Sequence, residues 1–110
     1  MTTIRFDRKE HTNHLVAEGH QAGAAAGENM YCAAISAMCC TLINALAKET
    51  LAATPTVLQS DGYIAVSALR TPRTDAFFDM LMAGAEAMRE KWPDRVSVIR
   101  NGEWGMGNGE

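Results

Sequence analysis

The sequence predicts a small α+β domain of order ββαββαβ, in which a mainly antiparallel sheet is packed by two helices. Three patterns lead there: short alternating runs near both ends of the chain, an apolar stripe at helical spacing from Cys32 to Leu46, and a second such stripe from Phe77 to Trp92. A chain of 110 residues has room for one core and not two. A single domain over residues 1–100 is therefore expected, followed by a flexible glycine-rich C-terminal tail at 101–110.

Thr3 to Arg8 alternates, with Ile4 and Phe6 on one face, and reads as the first strand. Lys9 to Thr12 is a polar turn, and Asn13 to Glu18 returns as the second strand with Leu15 and Ala17 on one face. Gly19 to Glu28 holds three glycines and four alanines, a stretch that changes shape at little steric cost and reads as a flap over a bound peptide. Asn29 is the N-cap of a helix from Met30 to about Glu49, on which Cys32, Ile35, Ser36, Cys39, Leu42, Ile43 and Leu46 share one broad stripe. Val57 to Ser60 and Tyr63 to Leu69 are strands joined by the two-residue hairpin signal Asp61-Gly62, the second of them partly covered on both faces. Thr71 to Thr74 reads as a turn. The second helix begins near Thr74 or Asp75, carries Phe77, Leu81, Ala85, Met88 and Trp92 as its core stripe with Phe78 and Met82 beside them, and stops at Pro93. Arg95 to Arg100 is the last strand, and Trp104 in the tail is an indole suited to docking on a neighbouring surface.

Composition narrows the function. An apolar share of 47%, a charged share of 21% and a net charge of −3 are those of an ordinary soluble protein and supply no broad attraction for nucleic acid. The charged start MTTIRFDRKE is not a secretory signal, and three cysteines with two adjacent do not make a disulfide framework, so the cytoplasm is the simplest compartment. Met30 to Ala47 runs for 18 residues without a charge, the lower limit for a membrane span. Ser36, Thr41, Asn44 and the many alanines make it a buried or interface helix instead. No membrane association is expected. His11 and His14 have an HxxH spacing, but on a turn and a strand the two rings seldom converge, and no second ligand pair follows; neither a metal nor a cofactor is expected.

The chemistry concentrates between Gly19 and Leu46. A glycine-bearing segment joins His20, a base, to Cys32, a thiol in the first turn of a helix where unpaired N–H groups and the dipole favour negative charge. Free cysteine is also a common core filler, so packing is the rival reading for Cys32. Cys39, two turns deeper on nearly the same azimuth, is expected to be inert. Cys39 and Cys40 point about 100° apart on a helix and do not share a metal. Ala33, Ala37 and Thr41 on the other face would let a second helix approach, from this chain or from another copy.

Gly19-His20, the glycine-containing loop and Cys32-Ala33-Ala34-Ile35-Ser36-Ala37, with twelve positions from histidine to cysteine, together resemble the ribosomal-processing cysteine protease (Prp) family. The hairpin at Asp61-Gly62-Tyr63 and Trp92-Pro93 extend the resemblance over most of the chain. It implies that residues 1–100 are a ribosomal-processing cysteine protease-like domain, with Cys32 as nucleophile and His20 as its base. Gly19, Gly23, Gly27, Asn29, Tyr31 and Ser36 would support the site or bind substrate. It implies as partner the N-terminal extension of a bacterial large-subunit ribosomal protein, number twenty-seven of its series, cut after an aromatic residue and before a small one. It further implies a homodimer. The sequence departs from the family's usual pattern at Asn29, commonly an acid, at Tyr31, commonly valine, and at Gln21, commonly alanine. An amide at 29 can still orient an imidazole, as in Cys/His/Asn sites, but does not stabilise its positive charge as an acid would. Two other functions compete: a non-catalytic peptide-binding ribosome-assembly factor, which would hold the extension without cutting it, and a thiol redox sensor, which an exposed thiolate would also suit.

Overall fold

The computed structural model describes residues 1–19, 30–49 and 55–102, with Tyr31 described in its backbone only. The elements follow in the order β1 (Thr2–Arg8), β2 (Thr12–Glu18), α1 (Met30–Ala47), β3 (Thr56–Ser60), β4 (Tyr63–Leu69), α2 (Pro72–Lys91) and β5 (Val96–Gly102). This is the expected ββαββαβ order. The strands form one five-stranded sheet, β3-β4-β2-β1-β5, antiparallel throughout except where β5 pairs in parallel with β1.

Alternation decides which face is covered. Ile4 and Phe6 of β1, Leu15 and Ala17 of β2 and Val66 and Ala68 of β4 point to one face, where they join Ile35, Cys39, Leu42 and Leu46 of α1 and Phe78, Leu81, Met82, Ala85 and Met88 of α2. Both helices therefore lie on one side of the sheet. On the opposite face Val16 and Ala65, directly paired across β2 and β4, are also buried, so β4 is partly covered on both faces as expected, and β2 is covered there at Val16. The uncharged run of α1 is accounted for by this packing, and no helix among the described residues is long and apolar enough to cross a membrane.

The second helix starts earlier than its stripe suggests. Thr71 caps it by accepting from the Thr74 N–H at 3.0 Å, while the Thr71 N–H donates to the Thr74 hydroxyl at 2.8 Å; Pro72 occupies the first turn, where its missing N–H costs nothing. What reads as a turn is thus a reciprocal cap. Phe78, rather than Phe77, is the deepest aromatic, stacked on Phe6 with ring centroids 5.7 Å apart. β5 runs to Gly102, two residues beyond the strand read from the sequence, because its parallel register with β1 continues to the Arg8–Gly102 pair. Trp104 lies outside the described residues.

A polar bracket ties the far end of the β1–β2 hairpin to the start of α2. Arg8 and Asn13 are buried, at 6% and 0% exposure. Arg8 Nε donates to Asn13 Oδ1 at 2.7 Å, Asn13 Nδ2 donates to Asp75 Oδ1 at 2.8 Å, Arg8 also pairs with Asp79 at 2.9 Å, and Arg70 forks onto both Asp75 oxygens. Burial alone would push the Asp75 carboxyl up, but the hydrogen bonds from Arg70 and Asn13 and the charges of Arg8 and Arg70 outweigh it and hold the group below the ordinary aspartate range.

Candidate active site

At the opposite end of the sheet a cavity of about 190 Å³ opens where the amino end of α1 meets the strands. Cys32, the third residue of α1, is half-buried and lines it, together with Ile35 and the exposed Ser36 one turn on. From the sheet come Thr2 at the start of β1, Ala17 and Glu18 at the end of β2, and Gln59, Ser60, Tyr63 and Ile64 around the β3–β4 turn. Ile35 anchors the helix at 4% exposure, and that burial fixes the azimuth that sets Cys32, three residues earlier on the same face, at the edge of the core where the cavity opens. Of the expected stripe, Ile35, Cys39, Leu42 and Leu46 are buried, Cys32 and Ile43 pack partly against the core, and Ser36 reaches the surface.

Gly19 fixes the point at which the chain leaves β2. Its φ is +103°, a conformation that side chains resist, and a Cβ there would lie 2.2 Å from the carbonyl oxygen of Met1. Its N–H donates to the Gly62 carbonyl at 3.2 Å and its carbonyl accepts from the Thr2 hydroxyl at 3.5 Å. Gly19 follows the cavity-lining Glu18 and directly precedes His20 in the sequence. His20, Gln21, Gly23, Gly27 and Asn29 themselves lie outside the described residues, as does the rest of the flap read between Gly19 and Glu28, and Tyr31 falls in the helix with its side chain outside them. Gly19→Ala is expected to cost about 2 kcal/mol or more, since both the φ and the Met1 contact oppose the methyl group; a thermal melt checks it.

The remaining cysteines behave differently from Cys32. Cys39 is 1% exposed, and burial, helped by the neighbouring Cys40 sulfur, pushes its thiol up to about 11. It is the inert packing residue that the stripe suggests. Cys40 is exposed. Iodoacetamide at pH 8 is accordingly expected to modify Cys32 and Cys40 in the native protein and to leave Cys39 untouched until the chain unfolds, with peptide mass spectrometry as the readout.

His11 and His14 do not converge on a metal. His11 is exposed near Glu10, whereas His14 Nδ1 is hydrogen-bonded to the Ser67 hydroxyl across β2 and β4. Among the described residues no group of three or more His, Cys, Asp or Glu could hold a metal ion. Of the cavity residues of the sheet, Tyr63 belongs to the hairpin motif quoted above, whereas Thr2, Glu18, Gln59, Ser60 and Ile64 were not singled out by sequence motifs. Their signal was topological: pairing β3 with β4 and β4 with β2 sets Gln59 opposite Ile64 and Ile64 opposite Ala17, a single row across the sheet beneath Cys32.

Comparison with known proteins bears on the same arrangement. The model of a family described as cysteine protease Prp matches residues 1–97. No curated protein matches the chain. Among solved structures, the chain is similar to SMU.848 from Streptococcus mutans, at 20% identity and a TM-score of 0.77, covering 94% of this chain and 99% of that one. It is also similar to the essential ribosomal processing protease Prp from S. aureus. In complex with a covalently linked product peptide that protein matches at 15% identity and a TM-score of 0.77, and in complex with a substrate peptide at 14% and 0.75, each covering 91% of this chain and 99% of that one. At such identities the structural likeness speaks for the fold.

Proposed function

The chain belongs to the cysteine protease Prp family, and on that premise we propose that Cys32 and His20 are the catalytic pair of a ribosomal-processing endopeptidase. The observation that carries the assignment is the position of Cys32: a half-buried thiol in the first turn of α1, lining a cavity whose rim includes the strand end that leads into His20. Cys39 is sealed in the core, and Cys40 does not line this cavity.

The chemistry follows from that placement. His20 takes the thiol proton, and Cys32 Sγ attacks the substrate carbonyl carbon, whose oxygen takes up the negative charge. First-turn N–H groups of α1, that of Cys32 among them, have no intrahelical acceptor and are available to that oxyanion. Collapse of the intermediate breaks the C–N bond, and the leaving amine takes the proton from His20. Water, deprotonated by the same imidazole, then hydrolyses the thioester and frees the thiol. Gly19, Gly23 and Gly27 let the intervening segment close over the peptide, and Asn29 orients the imidazole by a hydrogen bond in place of an acid. Tyr31 shapes the pocket beside the thiol. Ser36, one turn from Cys32 on the cavity wall, braces the site.

The substrate is the N-terminal extension of large-subunit ribosomal protein twenty-seven, cut after an aromatic residue and before a small one during ribosome maturation. The enzyme acts in the cytoplasm as a homodimer. An apolar groove along α1 and α2, lined by Ala37, Met38, Thr41, Phe77 and the exposed Met80, supports the dimer, since such a surface is otherwise left facing water. Incubating the purified protein with that ribosomal protein, extension intact, tests the reading by product mass. Loss of the extension is expected. Tight binding with the mass unchanged would instead identify a binding factor, and oxidation of Cys32 by peroxide without any cleavage would identify a redox sensor.

A further inference from the structure

We propose that the outer edge of β3 is the track on which the substrate peptide lies, bound as an added strand that leads into the Cys32 cavity. The inference rests on the protease reading above and supplies its mode of substrate binding. β3 stands at one end of the sheet, and among the described residues nothing pairs with its outer side. Its turn, Asp61-Gly62, is two residues long, so Ser60 and Tyr63 form the hydrogen-bonded closing pair. Pairing alternates from there: Leu58 with Ala65 and Thr56 with Ser67 exchange backbone bonds, and Val57 and Gln59 turn their N–H and C=O groups away from β4. Two donors and two acceptors thus face outward, about 7 Å apart along the strand, the repeat of alternate residues in an extended chain.

The strand's own residues do not guard the edge either. Sheet edges are commonly protected from pairing by lysine, proline or an inward-pointing charge, and the five residues Thr-Val-Leu-Gln-Ser carry none of these. At one end the edge merges with the site, because Gln59 and Ser60 line the cavity that Cys32 lines. A peptide paired along β3 would set alternate side chains beside Val57 and Gln59 on the helix-bearing face, the latter leading toward the sulfur. Its other side chains would pass Leu58, which is 61% exposed on the opposite face. Backbone bonds supply affinity whatever the sequence, while Val57 and Leu58 favour apolar side chains on both faces. The occupant is therefore an extended, apolar stretch of substrate upstream or downstream of the cut. A second copy paired here would lay its own strand across the approach to the cavity at Gln59 and Ser60, which argues for the peptide.

An N-methyl scan of the peptide tests this without altering β3. A fluorogenic peptide with an apolar leader, a phenylalanine and a following alanine is made in versions each carrying one N-methylated backbone amide. KM is measured by cleavage, and Kd is measured with the Cys32→Ala variant, so the edge is tested whether or not the peptide is cut. Methylation at alternate positions is expected to weaken KM and Kd about tenfold, and at the positions between them by no more than about twofold, because only every second amide faces the edge. Val57→Pro, which removes an outward N–H without touching the β4 ladder, is expected to weaken the parent peptide by a similar factor. Cleavage of the parent with no alternation in the series would overturn the added strand and leave the protease reading standing. Alternating Kd without cleavage would do the reverse. Conversion of a dimer to a monomer by Val57→Pro, with KM unchanged, would assign the edge to a second copy and overturn the inference.

Discussion

Replacing Asp75 with alanine is expected to lower the stability of the fold by about 3 kcal/mol, the largest loss expected from any one side chain outside the core. The carboxylate receives Asn13 Nδ2 at 2.8 Å and the Arg70 guanidinium at 2.8 Å, and it lies 3.8 Å from Arg8 Nε. Removing it leaves the fully buried Asn13 amide without its acceptor and strips one of two carboxylates from Arg8, a guanidinium whose side chain is only 7% exposed. Both groups lost their water on folding, so the penalty exceeds the worth of the bonds themselves. Out of a total that is commonly 5–15 kcal/mol for a domain, a melting temperature lower by on the order of 10 °C should follow. The same group sets an acid limb. Because its folded pKa is depressed, Asp75 contributes stability that is fully present above the ordinary aspartate value and lost as pH falls through the folded one. Urea midpoints measured between pH 6 and about 3 should therefore fall less steeply in Asp75→Asn than in the parent, although the variant starts lower.

Cys32→Ala should remove essentially all turnover, by a factor on the order of 10⁴ or more in kcat/KM, since among the described residues no other thiol lines the cavity to replace it. Its melting temperature should stay within a few degrees of the parent, because the sulfur is half-exposed and leaves no sealed void. Cys40→Ala, which alters an exposed thiol, should keep parental kinetics, and Cys39→Ala should lose stability by about 1 kcal/mol through its buried volume while still cutting. His20→Ala should match Cys32→Ala in rate. A split in which kcat falls and KM holds would place both groups in the chemical step.

The elements were legible because local pattern and tertiary packing agree. Alternation in Thr3–Arg8, the Asp61-Gly62 turn and the stripe through Ile35, Cys39, Leu42 and Leu46 each reappear in the folded chain with ends shifted by one or two residues. The start of α2 was less so. Thr71 and Thr74 form a reciprocal cap that resembles an ordinary polar turn in sequence, and only the helix that follows distinguishes the two. Phe77 and Phe78 are equally apolar; the contact with Phe6, from a strand more than 70 residues away, chooses between them. The polar bracket was not legible at all. Arg8 shares the inward face of Ile4 and Phe6, yet its charge beside Lys9 reads as the end of a strand, and its partners Asp75 and Asp79 come from 67 and 71 residues further along the chain. In the site, Cys32 could be found from its place at a helix start, whereas Gln59, Ser60 and Ile64 depend on strand order, which no local window contains.

The central claim is that the Cys32 sulfur carries the acyl group. Mixing the protein with excess fluorogenic peptide, quenching in acid within the first turnover and mapping the adduct by fragment ions tests it most directly. The account predicts a mass increase equal to the N-terminal product less water, located on Cys32, absent from Cys39 and Cys40, and gone after full turnover. An adduct on Cys40, or product formed at the parental rate by Cys32→Ala with no adduct anywhere, would contradict it.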